Sequence, residues 1–283
     1  MCKIKKWLFL VLSFLFFCTS AYGKEDLPDS DAWNFALTPY FWLPAQDADS
    51  TVSGQTSSID MSFGDTLDTA DEMFGLSARF VAWKGKWGFI FDGMYVDMDM
   101  VEDVRLQTPD PVDIGIEVDT TQKIFDFAVA YRTDEWPIGA GQGSSAGGKG
   151  PAMWFEPYAG LRYSYLRNEI HLGVNVPGVG GAGTVLGGSE DWIEPFVGGS
   201  MVFRLNDRWK FAVRGDAGGF GIGDASDFTW NLLFGFDYKP WQKTSIKFGY
   251  KIYGLDYETG SGADRFGFDG QMYGPLFGVT FHF

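Results

Sequence analysis

Thirteen charged residues fall at alternate positions within otherwise apolar runs: Arg79, Asp92, Asp126, Arg132, Glu156, Arg162, Glu194, Arg204, Arg214, Asp216, Asp237, Lys247 and Lys251. Because their signs are mixed, side chains converging on one interior would meet as ion pairs. A pore that selects ions would more naturally carry a ring of one sign. Hydrolytic chemistry would need an acid and a base brought together on a water. The nearest candidates are Asp97-x-Asp99 and Glu169-x-His171, with His282 the only other histidine. Alternation counts against both pairs. Asp97 and Asp99 fall on the face opposite Asp92 unless a bulge intervenes, and Glu169 and His171 fall opposite Glu156 and Arg162. A His-Glu-x-x-His metal motif is absent. The expectation is no enzyme, no catalytic residue, no metal ligand set and no cofactor.

The elements that must position these charges repeat with period two over about ten residues, which is the pattern of half-buried β-strands. Ten such segments are legible. They begin with Trp33, Phe35, Leu37 and Phe41 on one face and end with Tyr273, Phe277, Val279, Phe281 and Phe283 opposite Gly274, Gly278, Thr280 and His282. Later segments set Phe155, Leu161 and Tyr163 against Glu156 and Arg162, Ile193 and Val197 against Glu194, and Ile246, Phe248 and Tyr250 against Lys247 and Lys251. Two segments share Trp-x-Glu-Pro-aromatic-x-Gly, at Trp154 to Gly160 and Trp192 to Gly198. Lys84-Gly85-Lys86, Leu205-Asn206-Asp207-Arg208 and Lys239-Pro240-Trp241 read as short turns at one end. Pro44 to Glu72, Asp97 to Gln122, Asn168 to Asp191 and Asp256 to Phe266 read as long loops at the other, and Thr133 to Pro151 as a flexible link. The second of these, through Val112 to Val118, has its own alternation and could extend strands.

In hydrocarbon every backbone N–H and C=O must be paired internally, and a closed sheet achieves this without edges. The fold expected is therefore an all-β, transmembrane, antiparallel up-and-down β-barrel of about ten strands, with eight or twelve possible. By alternation Trp42, Trp83, Trp154 and Trp192 point into it. The N-terminus reads as a secretory leader over residues 1–23: Lys3, Lys5 and Lys6 precede an apolar Trp7 to Phe17, and Ala21-Tyr22-Gly23 is a small-x-small cleavage site. Cys2 and Cys18 both lie in it, so residues 24–283, the barrel itself, have no thiol for a disulfide, metal or nucleophile. The chain carries 22 basic and 37 acidic residues, a net of −15, which makes nucleic acid a poor partner.

The closing Gly274-Pro275-Leu276-Phe277-Gly278-Val279-Thr280-Phe281-His282-Phe283 is similar to the last strand of Gram-negative outer-membrane barrels. Together with Phe35-Ala36-Leu37-Thr38-Pro39-Tyr40-Phe41-Trp42-Leu43-Pro44 and Arg214-Gly215-Asp216 running into Gly218-Gly219-Phe220-Gly221, it resembles a largely uncharacterised group of proteobacterial outer-membrane β-barrel proteins. The resemblance implies fold and an outer-membrane location, with membrane assembly through terminal Phe283 and the barrel-assembly machinery, and it implies no activity. Omptin proteases, also ten-stranded, set an Asp pair and an Asp-His pair above the rim; Glu169 in the second pair departs from that pattern. The first two long loops are acidic. Asp47, Asp49, Asp60, Asp65, Asp68, Asp71 and Glu72 occur in the first without Lys or Arg, so outer-membrane lipid, lipopolysaccharide and weakly held divalent cations are the expected surface partners. A structural or surface-interaction role with a charged, largely plugged lumen is the expected function. A narrow passive channel for small solutes is the alternative.

Overall fold

The computed structural model describes residues 32–68, 73–106, 112–139, 150–176 and 180–283. The expected leader, residues 1–23, lies outside them. Thirteen strands occur among the described residues: β1 (Trp33–Trp42), β2 (Ala45–Val52), β3 (Gln55–Met61), β4 (Met73–Lys84), β5 (Trp87–Leu106), β6 (Val112–Tyr131), β7 (Trp136–Pro137), β8 (Ala152–Val176), β9 (Gly180–Arg204), β10 (Trp209–Gly219), β11 (Phe228–Tyr238), β12 (Thr244–Thr259) and β13 (Phe266–His282). Ten of them close a ring of antiparallel pairs in the order β1-β4-β5-β6-β8-β9-β10-β11-β12-β13, and β13 returns to β1 through Ala36 opposite His282 to Trp42 opposite Leu276. The ring leaves no free edge.

The outer face follows the sequence alternation. Phe41, Leu76, Phe91, Phe127, Leu161, Ile193, Val197 and Phe277 are all exposed and form an apolar belt, while the residues between them point into the ring. Trp33, Trp87, Trp136 and Trp241 are exposed near the short-turn end, where an aromatic girdle would lie. Trp42, Trp83, Trp154 and Trp192 are buried, as their parity requires.

Two of the expected long loops are strand throughout their described residues: β5 and β6 cover 97–106 and 112–122, and β8 and β9, at 25 residues each, cover 168–176 and 180–191. A spanning strand needs only about 9–11 residues, so the sheet continues well past the belt. The physical reason is pairing: the chain beyond the belt keeps its ladder partners, Asp119 opposite Glu169 and Asn168 opposite Gly188 among them. The flexible link also contains β7, whose Trp136 and Pro137 pair with Met153 and Ala152; 140–149 lie outside the described residues.

The first expected loop is instead a hairpin. At Leu43-Pro44 the chain leaves β1, and β2 pairs with the outer half of β13 and then with β3. The β2–β3 turn uses Ser53 (φ 52°) and Gly54 (φ 73°), both in the left-handed region, as a two-residue turn with right-handed strand twist requires. Gly54 donates its N–H to the Arg265 carbonyl at 3.0 Å, and a Cβ there would strike the Gly262 carbonyl. A side chain at this position would lift the hairpin off the β12–β13 connection. A short helix, α1 (Phe63–Asp68), follows, its first turn closed by Asp65 accepting from the Ser62 N–H at 2.8 Å and Ser62 hydroxyl at 2.7 Å. These bonds hold the Asp65 carboxyl below its ordinary pKa.

Candidate functional site

Ladder register explains how the lumenal charges meet. Arg79 stands opposite Asp92, Asp92 opposite Asp126, Asp126 opposite Arg162 and Arg162 opposite Glu194, one inward row across β4, β5, β6, β8 and β9. Directly opposed side chains lie close enough to bond. The like-charged step, Asp92 to Asp126, is relieved by separate cations. Arg79 Nη1 donates to Asp92 at 2.9 Å and Arg214 Nη1 reaches it from across the lumen at 3.4 Å, while Tyr40 Oη donates to its other oxygen at 2.8 Å.

Arg162 is the centre of the row and is 1% exposed. Its Nε and Nη2 grip Asp126 at 2.7 and 3.2 Å, Nη2 also donates to Asp216 at 2.8 Å, and Nη1 donates to Thr229 at 3.2 Å. Glu194 stands 3.6 Å away, wholly buried, and accepts from Trp192 Nε1 at 2.9 Å and from the Ser226 and Thr229 hydroxyls. Asp216 also accepts from Tyr158 Oη at 3.1 Å, which in turn accepts from Arg214 Nε at 3.0 Å. A guanidinium with three carboxylates within reach needs these extra donors to satisfy the remaining oxygens.

Nearer the short turns, Arg132 Nε donates to Glu156 at 2.7 Å and lies 4.1 Å over the Trp83 ring, and Trp154 Nε1 donates to Glu156 at 2.8 Å. The repeated Trp-x-Glu motif thus has one meaning in both copies. Residues two apart share a strand face, so each indole N–H caps its own lumenal glutamate. Arg204 pairs with Glu135, at 2.8 and 2.6 Å, and donates to the Gly150 carbonyl at 3.2 Å. Glu135, in the link after β6, had no alternation to single it out. Lys247 stands 3.6 Å from Asp237, partly exposed. Lys251 meets rings instead, 4.4 Å over Trp42 and 5.7 Å over Tyr253, and has no carboxylate within ion-pair distance among the described residues.

Side chains divide the lumen into two levels. Between the charge row and the short turns is a cavity of about 430 Å³ lined by Arg79, Asp92, Arg132, Glu156, Arg214, Lys251, Ile124 and Leu276 among others. Beyond the row, in the outer half, Trp42, Met94, Leu166, Trp192, Tyr253, Leu255, Tyr257, Phe266, Phe268 and Met272 form one buried cluster with Ala48 and Val52 of the hairpin. Trp192 and Tyr257 stack face to face at 3.9 Å. Asn168 of β8 donates to Ser50 of β2 at 2.8 Å and accepts from Thr120 at 3.1 Å, so walls far apart in sequence touch at this level. At this level the side chains that meet across the lumen are mainly apolar rather than ion-paired. The signal was in the sequence. Along β12 the apolar face passes from even residues, Ile246, Phe248 and Tyr250, to odd ones, Tyr253, Leu255 and Tyr257.

On the outside of the extended strands, Glu169 and His171 do converge, with Asp119. His171 Nε2 is 3.1 Å from Asp119 and 3.9 Å from Glu169, and one ligand atom from each of the three lies within 4.8 Å of the others. Arg167 already holds Glu169 at 2.7 Å. Asp97 is on the same outer face, bound by the Thr121 hydroxyl at 2.7 Å, as its parity requires. The side chain of Asp99 lies outside the described residues. His282 sits inward near the short turns, 3.3 Å from the Ser245 hydroxyl. Above the belt, Asp47, Asp49, Asp256 and Asp269 border an outer groove of about 410 Å³ with Trp230 and Tyr273. Asp256, opposite Asp269 in the ladder, has its carboxyl raised by burial first and then by Asp269.

Among solved structures the chain is similar to the outer-membrane protease OmpT of Escherichia coli, at 7% identity over 90% of this chain and 97% of that one, with a TM-score of 0.49. It is also similar to Neisserial surface protein A, at 11% identity over 89% and 99% with a TM-score of 0.30, and to Ail, the attachment invasion locus protein of Yersinia pestis, at 10% identity over 89% and 99% with a TM-score of 0.30. No family model and no curated protein matches the sequence.

Proposed function

We propose that the chain is a bacterial outer-membrane β-barrel with a structural or surface-interaction role, exported through a cleaved leader and closed in its outer half. The apolar belt on an edgeless ring supports the membrane location. The observation that supports the closed lumen is the buried apolar cluster around the Trp192–Tyr257 stack, which joins side chains of non-adjacent strands in the outer half. Outside it, the acidic face with Asp47, Asp49, Asp256 and Asp269 suits contact with lipopolysaccharide phosphates through divalent cations. The non-enzymatic reading is supported by the outward placement of Asp97, Glu169 and His171, away from the lumen.

Planar-bilayer recording of the refolded protein is the direct test. The expected result is a silent membrane, with folding verified by heat-modifiable gel mobility; discrete current steps would overturn the closed-lumen reading in favour of a narrow channel. The inner cavity of about 430 Å³ is the observation that favours that second reading.

Terminal Phe283 is 70% exposed, and its backbone exchanges both hydrogen bonds with Phe35, at 2.9 and 3.3 Å. Its ring makes the assembly signal and its backbone seals the ring of strands. Phe283→Ser keeps the backbone bonds, so refolding in detergent should be unchanged while the folded yield in outer membranes falls several-fold. Equal yields of variant and parent in isolated outer membranes would remove Phe283 from assembly.

A further inference from the structure

We propose that the inner lumenal cavity binds a small oxyanion at Lys251, with room beside it for an apolar body. Lys251 lines the cavity from β12; its ammonium lies against the faces of Trp42 and Tyr253 with no carboxylate within ion-pair distance among the described residues, while Asp92, Asp126 and Asp216 act on it from farther off. An ammonium taken from water without a carboxylate is costly unless an anion completes it. Two more donors beside it lack an acceptor: Trp42 Nε1 and Tyr253 Oη form no hydrogen bond, on residues 9% and 2% exposed. Every other arginine or lysine discussed above in the lumen meets a carboxylate, so Lys251 is the cation of this wall without one, and the two donors lie behind it in the buried cluster rather than on the cavity wall.

The wall as a whole leans the same way. Six arginines and lysines border the cavity against four carboxylates, in a chain whose net charge is −15. The local excess of positive charge therefore runs against the composition. One of the four carboxylates, Asp126, is already committed to Arg162. The wall near Lys251 also carries Met94, Ile124, Leu233 and Leu276. A volume of about 430 Å³ lies within the usual range for small-molecule sites, and an apolar wall with a few placed polar groups is their usual chemistry. Access is from the short-turn end. Lys247 and Asp237 there are 36% and 24% exposed in their side chains, whereas Arg162 and Asp126 at the inner limit are 1% and 8%.

Either an organic carboxylate or inorganic phosphate offers the required oxygens, and the two separate by titration. The full barrel in phosphatidylcholine nanodiscs is titrated calorimetrically with sodium hexanoate, hexanol and sodium phosphate, with empty nanodiscs subtracted. Saturable hexanoate binding that hexanol does not reproduce, and that Lys251→Met weakens at least tenfold while Lys251→Arg largely retains, is the expected result. Phosphate binding with the same Lys251 dependence and no hexanoate binding keeps the anion site and assigns it to inorganic anions. Absence of saturable binding by both anions, or unchanged affinity in folded Lys251→Met, overturns the proposal. Lys251→Arg guards against a folding artefact, since it keeps the charge. Binding needs the cavity alone, so it fails or stands independently of the silent bilayer that tests the closed lumen.

Discussion

Arg162→Met is expected to lower barrel stability by about 3–5 kcal/mol, the cost of leaving a buried charge without its partner. The side chain is 1% exposed and reaches Asp126, Asp216 and Glu194, so its loss strands three lumenal carboxylates at once. Packing adds a smaller share, because the guanidinium also lies 4.8 Å over the Phe196 ring. Arg162→Lys should rescue little: a single ammonium cannot grip both oxygens of Asp126 while also donating to Asp216 and Thr229. Urea unfolding in lipid vesicles, read by tryptophan fluorescence and gel mobility, gives the midpoint. An unchanged midpoint would show that the row holds nothing together. The companion is Arg162→Met with Asp126→Asn and Glu194→Gln, which removes charge on both sides and should recover part of the loss.

Why the sequence carried so much of this fold follows from the period-two pattern. A strand with one face in an apolar surrounding and one in a polar interior must alternate, and a slip of one residue would turn Arg162 or Glu194 outward. The shared face of Arg79, Asp92, Asp126, Arg162 and Glu194 and the burial of Trp42, Trp83, Trp154 and Trp192 were legible for that reason. Which charge meets which was not. The partners of Arg162 depend on the stagger between strands, which sets Asp216 of β10 against a residue of β8 that is not its ladder neighbour. Arg204 found Glu135 in a connection with no periodicity at all.

The outer half was misread because polar, glycine-rich and acidic segments look like loops. In β9, Gly187 and Gly188 lie opposite Glu169 and Asn168 within a ladder that never breaks. Beyond the belt the polarity requirement inverts: the outside of the sheet faces water and its inside becomes a core. Phe266, Phe268 and Met272 of β13 are buried inward, while Asp269 and Gln271 face out. A period-two pattern whose apolar face changes sides is therefore one continuous strand crossing from one surrounding to another, and reading only the belt half of it gives a loop.

The second large effect concerns that inverted core. Replacing Trp192 and Tyr257 together by alanine is expected to open the outer half and give current where the parent is silent. The two rings stack at 3.9 Å from β9 and β12, which are not neighbours in the ring of strands, so the pair ties one wall of the lumen to another. Each large-to-small change in a buried site costs about 3–5 kcal/mol, and the space left lies between the inner cavity and the outer mouth. Trp192→Ala also takes a hydrogen bond from buried Glu194, leaving the carboxylate to draw water into the gap. The backbone ladder of β8, β9 and β12 does not depend on either ring, so the barrel itself should persist, as heat-modifiable mobility would show. Single-channel recording of the double variant beside Trp192→Phe, which keeps a stacked ring, separates the cases. Steps in the former and silence in the latter place the closure at this pair; silence in both, with folding verified, places it deeper in the hairpin contact between Ser50 and Asn168.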